Sequence, residues 1–210
     1  VESYLSRWTD DEEFIDLCHR FNAVTGMTNS FDNALYARLY ILRQIAQQKK
    51  HIGANWAECG TYAGMSMFFV ADLSPLTFYG IDSFEGVSEP GIHDTEYFKK
   101  VKLDIPIEPA QNNLSSFNKV KLIKGWIPDV FNELPSDNKT QYSYVHIDVD
   151  LYEPTLESIK YFYPKMVSNG VMICDDYGSY KTIGARKAFV DFFGKNSILE
   201  LPTGQAIVYK

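Results

Sequence analysis

The chain has 210 residues, 45% of them hydrophobic and 22% charged, the balance of a soluble globular protein with one sizeable core and a single domain. Its 20 basic and 27 acidic residues give a net charge of −7 with no basic stripe, so a nucleic-acid partner is not expected. No long apolar span or signal peptide is apparent, so neither membrane insertion nor export is expected. Cys18, Cys59 and Cys174 are odd in number and far apart, which reads as buried free thiols of a reduced, cytoplasmic protein.

Thr9 and Glu12 form a capping-box pair that opens a helix carrying Phe14, Leu17, Cys18 and Phe21 on one side, closed by Gly26. A second helix is predicted from near Ser30, with Leu35, Leu39, Leu42 and Ile45 at helical spacing. These two helices make an N-terminal cap over residues 1–50. From Ala54 the pattern becomes an alternation of strands and helices over 54–210. Trp56–Cys59 is a short strand, Gly60–Gly64 a turn, Met65–Ala71 the start of a helix, and Leu76–Ile81 a second strand ending in Asp82. Residues 86–118 contain Pro90, Gly91, Pro106 and Pro109 without periodicity and read as an irregular flap. Strands follow at Val120–Ile123, Tyr144–Ile147 and Val171–Cys174, with helices at Glu153–Ser168 and Thr182–Phe193. The end, SILELPTGQAIVYK, reads as an antiparallel hairpin. Together these elements predict an α/β fold with a doubly wound, mostly parallel sheet, an antiparallel C-terminal hairpin and an N-terminal helical cap.

Two pairs of aspartates close two of the apolar strands: Asp148 and Asp150 in YSYVHIDVD, Asp175 and Asp176 in GVMICDDY. One crossover separates the pairs, so the strands should lie side by side and gather four carboxylates where open α/β sheets bind ligands. Four such charges repel one another, and a hard divalent cation such as Mg²⁺ is the natural neutraliser. The alternative for each pair is local: Asp150 precedes Glu153 and Pro154, a common helix start, and Asp176 can cap a turn. His146 and His93 are read as a satisfied and a solvated histidine, respectively. Tyr152, Tyr177 and Tyr180 stand near the aspartates in sequence and are candidates for a sugar-stacking wall.

The turn Glu58-Cys59-Gly60-Thr61-Tyr62-Ala63-Gly64 lacks the dinucleotide fingerprint. Gly60 permits a sharp turn and close approach of a ligand, and Gly64 a closely packed helix start. Glu58 before the turn suits a cationic group, such as the amino group of S-adenosylmethionine. Asp82 stands where a carboxylate can accept hydrogen bonds from ribose hydroxyls.

The segments AECGTYAGMS, YGIDSFEGVSEP, KGWIPD, YVHIDVDLYEPTLESIKYFYPKMVSNGVMICDDYG and GQAIVYK resemble class I S-adenosylmethionine-dependent methyltransferases, and more narrowly the macrocin O-methyltransferase (TylF-type) sugar O-methyltransferases. The likeness runs from about Met27 to the C-terminus. It implies that Glu58, Gly60 and Ser66 line the methionine side of the cofactor, that Asp82 and Ser83 hold the ribose, and that Gly125 and Trp126 lie near the adenine. It implies Asp148, Asp175 and Asp176 as metal ligands and Asp150 as general base. A metal-dependent transfer of methyl to a hydroxyl of a sugar or sugar-containing small molecule or glycan follows. The rival reading is an Asp-x-Asp metal-dependent glycosyltransferase, for which the second aspartate pair and the Glu58 turn are not expected. The sequence leaves the acceptor open, and the oligomeric state too, a homo-oligomer included.

Overall fold

The structure, a computed structural model, describes residues 7–26, 33–101, 103–135 and 140–210. Among the described residues seven strands form one mixed sheet in the order β3-β2-β1-β4-β5-β7-β6: β1 (Asn55–Cys59), β2 (Phe78–Asp82), β3 (Val120–Lys124), β4 (Tyr142–Ile147), β5 (Met166–Cys174), β6 (Leu199–Glu200) and β7 (Ala206–Tyr209). β1 to β5 pair in parallel, and β7 inserts antiparallel between β5 and β6. The helices are α1 (Glu12–Thr25), α2 (Asn33–Lys49), α3 (Met65–Phe68), α4 (Glu108–Leu114), α5 (Tyr152–Phe162) and α6 (Ile183–Phe193).

Side-chain alternation along the strands divides the core in two. Trp56, Phe78, Tyr144 and Ile173 face α1, α2 and α3, where they meet Phe14, Phe21, Leu42 and Phe69. Ala57, Ile81, Val145, Ile147, Met172 and Cys174 face α5 and α6 and meet Ile159, Phe162, Ala188 and Phe189. Every residue of β4 is buried, as a central parallel strand covered on both faces requires. The same alternation carries Glu58, His146 and Asp148 to the α2 side, because they continue the parity of Trp56 and Tyr144. All three cysteines are buried free thiols.

Several expected boundaries shift. The N-cap of α1 is Asp11, whose Oδ1 accepts from the Phe14 amide at 3.0 Å, not Thr9; Arg7–Asp10 form a 3-10 turn ahead of it. Gly26 ends α1 in the left-handed conformation, with φ of 70°, as expected of a C-terminal glycine. Ser30 lies outside the described residues. The Met65 helix lasts only to Phe68 and gives way to a 3-10 turn at Ala71–Leu73. The crossover helix stops at Phe162, because Pro164 follows and Met166 already pairs in β5. The irregular 86–118 segment contains a 3-10 turn at Glu96–Lys99 and α4, which has Pro109 in its first turn.

That segment is also fastened down. Leu151, the N-cap of α5, offers no capping side chain. Asp94 supplies one from far along the chain, its Oδ1 accepting from the Tyr152 amide at 2.8 Å and its Oδ2 from Gly91 N at 2.8 Å. The Thr95 hydroxyl donates to the Lys181 carbonyl at 2.6 Å. α6 can pass this joint only with a glycine at 184, where a Cβ would fall on Asp94 Oδ1 and lie 2.8 Å from Tyr152 N. Gly184→Ala is therefore expected to cost about 1–3 kcal/mol, the usual penalty of overpacking, read as a lower urea midpoint at unchanged slope.

Candidate active site

The chain leaves β1 for β2 in one direction and returns from β3 to β4 on the other side of β1, so the crevice outside β1 and β4 is the switch point of the sheet. A cavity of about 320 Å³ opens there, at the lower end of the range for small-molecule sites. Gly60, Tyr62, Asp82, Ser83, Gly125, Trp126, Asp148 and Asp150 are among its lining residues. A second cavity of about 140 Å³ adjoins it under α2, lined by Leu35, Arg38, Thr61, Tyr62, Ser66, Asp148 and Asp175 among others.

The first cavity is built from strand ends whose hydrogen bonds run on past the strands. Gly60 N donates to Ile81 O at 2.8 Å, Gly125 N to Asp82 O at 2.8 Å and Asp148 N to Cys59 O at 2.8 Å. Gly60 has φ of 89°, and a Cβ there would collide with the Asp148 carbonyl, so glycine is what lets the two strand ends close up. Asp82 aims its carboxylate back into the turns: Oδ2 accepts from Tyr62 N at 2.7 Å and Oδ1 from Phe84 N at 2.7 Å. Each oxygen keeps a lone pair for a ligand hydroxyl. Ser83 is buried and donates to Gly86 O at 2.7 Å. Trp126 presents a partly exposed indole on the cavity wall.

The remaining residues singled out for a cofactor sit elsewhere. Gly64 begins α3 and packs against Leu114. Ser66 lines the smaller cavity. Glu58 lines neither cavity; it is fully buried, engages His146 through Oε2, and leaves Oε1 without a partner among the described residues. Thr61 Oγ1 is likewise buried and unpartnered among them. Of these two orphaned oxygens, the one on Thr61 belongs to a residue lining the smaller cavity, and that on Glu58 lies two residues before Gly60, which lines both; unpaired buried oxygens of this kind call for a polar partner.

The four aspartates do come together. Asp148 and Asp175 end the neighbouring strands β4 and β5, with Asp175 N donating to Ile147 O at 3.0 Å. Asp148 and Asp176 touch through their carboxyls, and Asp176 Oδ2 is buried without a partner among the described residues. Asp150 stands in the left-handed region at φ of 62°, which breaks the strand alternation and turns it onto the cavity wall. Two cations meet this group. His146, on β4, lies between Glu58 Oε2 at 2.9 Å from Nδ1 and Asp175 Oδ1 at 3.3 Å from Nε2. Arg38, on α2, ion-pairs through Nη2 with Asp175 Oδ2 and donates to the Asp175 carbonyl at 2.9 Å. Gln205, from the turn before β7, donates to Asp175 Oδ1 at 2.7 Å.

The electrostatics follow from these partners. Burial pushes His146 down, but the hydrogen bonds and charges of Asp175 and Glu58 outweigh it and lift the imidazole to about 9. Burial would raise Asp175, yet the His146 hydrogen bond and the His146 and Arg38 charges hold it well below the usual carboxylate range. The other three have no such support. Burial first, then the neighbouring carboxylates, raise Asp148 well above its ordinary value, Asp150 to about 7 and Asp176 to about 6.

A divalent cation fits this donor set. Ligand atoms of His146, Asp148 and Asp175 lie within 4.8 Å of one another, but both His146 nitrogens are already engaged, which leaves the work to the carboxylates; Asp176 stands outside that group of atoms, although its Oδ2 is buried without a partner among the described residues. Arg38, His146 and Gln205 were not singled out as site residues from the sequence. The signal for Arg38 was present, as a charged residue within the apolar stripe Leu35, Leu39, Leu42 of α2. The tyrosines form no common wall. Tyr177 is buried, Tyr180 is 80% exposed, and Tyr152 directs its hydroxyl to Asp191 at 2.9 Å while its ring meets His93 at 4.4 Å.

Comparison with known proteins follows the same line. Residues 36–203 match the family model of macrocin O-methyltransferase (TylF). The chain belongs to that family. It is 27% identical over 128 residues to the 8-demethyl-8-(2,3-dimethoxy-alpha-L-rhamnosyl)-tetracenomycin-C 4'-O-methyltransferase of Streptomyces olivaceus, a match covering 56% of this chain and 47% of that protein. It is 26% identical over 159 residues to the demethyldecarbamoylnovobiocin O-methyltransferase of Streptomyces niveus, covering 67% of this chain and 60% of that protein. The chain thus spans about half to three fifths of the length of these relatives. Among solved structures, the O-methyltransferase NovP superposes with a TM-score of 0.72 at 17% identity, over 93% of this chain and 98% of NovP. The calicheamicin methyltransferase CalS11 does so with 0.68 at 16%, over 95% and 93%. Both share the fold.

The carboxyl shifts fix a pH response. The folded chain keeps protons on Asp176 up to about 6 and on Asp150 up to about 7, which the unfolded chain releases near its ordinary value of 3.8. Folding therefore takes up protons across that window, and stability must fall as pH rises through it. His146, raised from 6.5 to about 9, extends the same slope upward. The unfolding midpoint in EDTA is expected to drop between about pH 4 and about pH 8, and less steeply for Asp150→Asn. A flat or rising midpoint in urea titrations at stepped pH would contradict the described carboxyl environments.

Proposed function

We propose that this chain is an S-adenosylmethionine-dependent O-methyltransferase that methylates a hydroxyl of a sugar or sugar-containing metabolite, with a divalent cation, Mg²⁺ by preference, at the acidic cluster. The observation that carries the reading is the continuity of the site. Asp148 and Asp150 line the same cavity as Gly60, Asp82 and Trp126, so a cofactor and an acceptor held there would face each other across the ends of β1 and β4. Family membership and the sugar-linked names of both curated relatives support it.

In this reading Asp82 and Ser83 hold ribose hydroxyls, Gly125 and Trp126 border the adenine, and Glu58, Gly60 and Ser66 serve the methionine end with its ammonium. Asp148, Asp175 and Asp176 hold the cation, which when bound supplies the positive charge that makes a sugar hydroxyl acidic enough to react. S-adenosylmethionine supplies the methyl group. The protein's own part is placement and proton removal: the acceptor oxygen must be aligned and close, and Asp150 takes its proton. A carboxyl raised to about 7 is well matched to that task near neutral pH. The left-handed backbone at Asp150 is a cost of about 1–3 kcal/mol that such sites tolerate where it aims a reacting group.

Residues 1–210 would then act as one methyltransferase domain, with the helices of 1–50 as a cap on a 54–210 core. The three buried thiols suit a cytoplasmic setting.

Calorimetry with S-adenosylhomocysteine tests the cofactor half: wild type should bind it and ignore UDP-sugars, while the reverse would favour a glycosyltransferase. Asp82→Ala should weaken that binding by about 1–3 kcal/mol, the cost of losing hydrogen bonds to a charged group. With an accepting glycoside found from a panel of nucleotide-linked and antibiotic deoxysugars, EDTA should silence turnover and Mg²⁺ revive it. Asp150→Asn should keep cofactor and Mg²⁺ affinity while turnover falls about 10²–10⁴-fold. If Asp150→Asn turns over normally, the base assignment is wrong.

A further inference from the structure

Asp175 presents a conflict. His146 Nε2 and Gln205 Nε2 occupy Oδ1, at 3.3 Å and 2.7 Å. Its other oxygen, Oδ2, is held by the Arg38 guanidinium, which also grips the Asp175 carbonyl. Oδ2 is the oxygen left for a metal, and a guanidinium and a divalent cation cannot share it closely, since like charges at contact repel strongly around a carboxylate as buried as this one.

We propose that Arg38 is a built-in counter-cation for the acidic cluster, which the divalent cation displaces from Asp175 when it binds. The inference rests on the metal reading above. Three observations carry it. First, among the described residues no other Lys or Arg is ion-paired with Asp148, Asp150, Asp175 or Asp176, and Arg38 acts on all four carboxyls. Second, a guanidinium keeps its charge at any working pH, so it can leave the cluster only by moving, not by losing a proton. Third, it has room to move. Its side chain is 29% exposed, and it lines the cavity of about 140 Å³ beside Thr61, Tyr62 and Ser66, where a swung-out guanidinium finds polar company.

The chemistry is an exchange of one cation for another on the same oxygen. Without metal, Arg38 keeps the carboxylates of β4 and β5 from forcing the strand ends apart. With metal, the guanidinium is released into the smaller cavity. Arg38 therefore competes with the metal rather than helping to bind it, the opposite of what a residue that merely braces a ligand would do.

The test is Mg²⁺ calorimetry on purified wild type, Arg38→Gln and Arg38→Lys, without cofactor or acceptor. Arg38→Gln, which keeps a donor but loses the charge, should bind Mg²⁺ about tenfold more tightly than wild type. Its melting temperature should be lower than wild type in EDTA and catch up on adding Mg²⁺. Arg38→Lys, which keeps the charge, should bind Mg²⁺ close to wild type. Since Arg38→Gln could misfold without metal, a second measurement uses wild type alone. In ¹⁵N spectra of arginine side chains, the Arg38 signals should shift and lose exchange protection as Mg²⁺ is added. Equal or weaker Mg²⁺ affinity in folded Arg38→Gln, or Arg38 signals that ignore Mg²⁺ bound by wild type, would overturn the proposal and leave the metal reading standing. A wild type that binds no divalent cation would overturn both.

Discussion

Too much negative charge in too small a space governs this molecule. Parallel pairing of β4 and β5 brings Asp148 and Asp175 to adjacent strand ends, and the residues after them add Asp150 and Asp176. Asp148 and Asp175 cannot draw apart, because their backbone amides are bound to the neighbouring strand ends. The protein answers unevenly. Asp175 receives an imidazolium, a guanidinium and an amide, while Asp148, Asp150 and Asp176 are left protonated more readily than carboxyls in water. One strongly ionised carboxylate beside three whose charge is opposed by burial and by one another is the perturbed pattern of a functional site rather than of a core stabilised by ion pairs.

The fold makes this affordable by surrounding a polar end with an apolar body. Both faces of β1, β2, β4 and β5 are packed with aromatic and aliphatic side chains, and the polar groups gather where the strands run out. Positive φ at Tyr62, Phe84 and Asp150 falls in three different loops at the same end of the sheet. Tyr62 and Phe84 lend their amides to Asp82, so two of those strained turns serve one carboxylate.

The parts of this architecture fixed by period were legible in the sequence. Short apolar runs, closed by a glycine turn after β1 and by aspartates after β2, β4 and β5, marked the ends of those strands to within a residue, and the Pro-Thr-Gly turn marked the hairpin of β6 and β7. The start of β5 was hidden, since Met166 to Gly170 carries Ser168, Asn169 and a glycine and looks like a helix end until it is paired. α4 was hidden by Pro109, which reads as a breaker in a loop but sits harmlessly in a first turn. The fastening of the 86–118 segment could not be read either, because Asp94 and Tyr152 are 58 residues apart in sequence and only the tertiary fold joins them. The acidic cluster was legible as composition and spacing. Its partners were not: Arg38 interrupts an apolar stripe without saying what it meets, Gln205 looks ordinary in its turn, and the two come from opposite ends of the chain.

Gln205 carries one more implication. β7 follows β6 in the chain, yet it does not sit beyond it in the sheet; it slots between β5 and β6, and the residue just before it steadies Asp175. During synthesis, β5 emerges and exposes its open flank well before that strand exists. A nascent chain held on the ribosome at this stage has all four aspartates but not the amide that orients one of them, and its sheet still has an unfilled slot. The orientation of Asp175 is thus tied to closure of the sheet, because the amide that steadies it arrives with the strand that fills the slot.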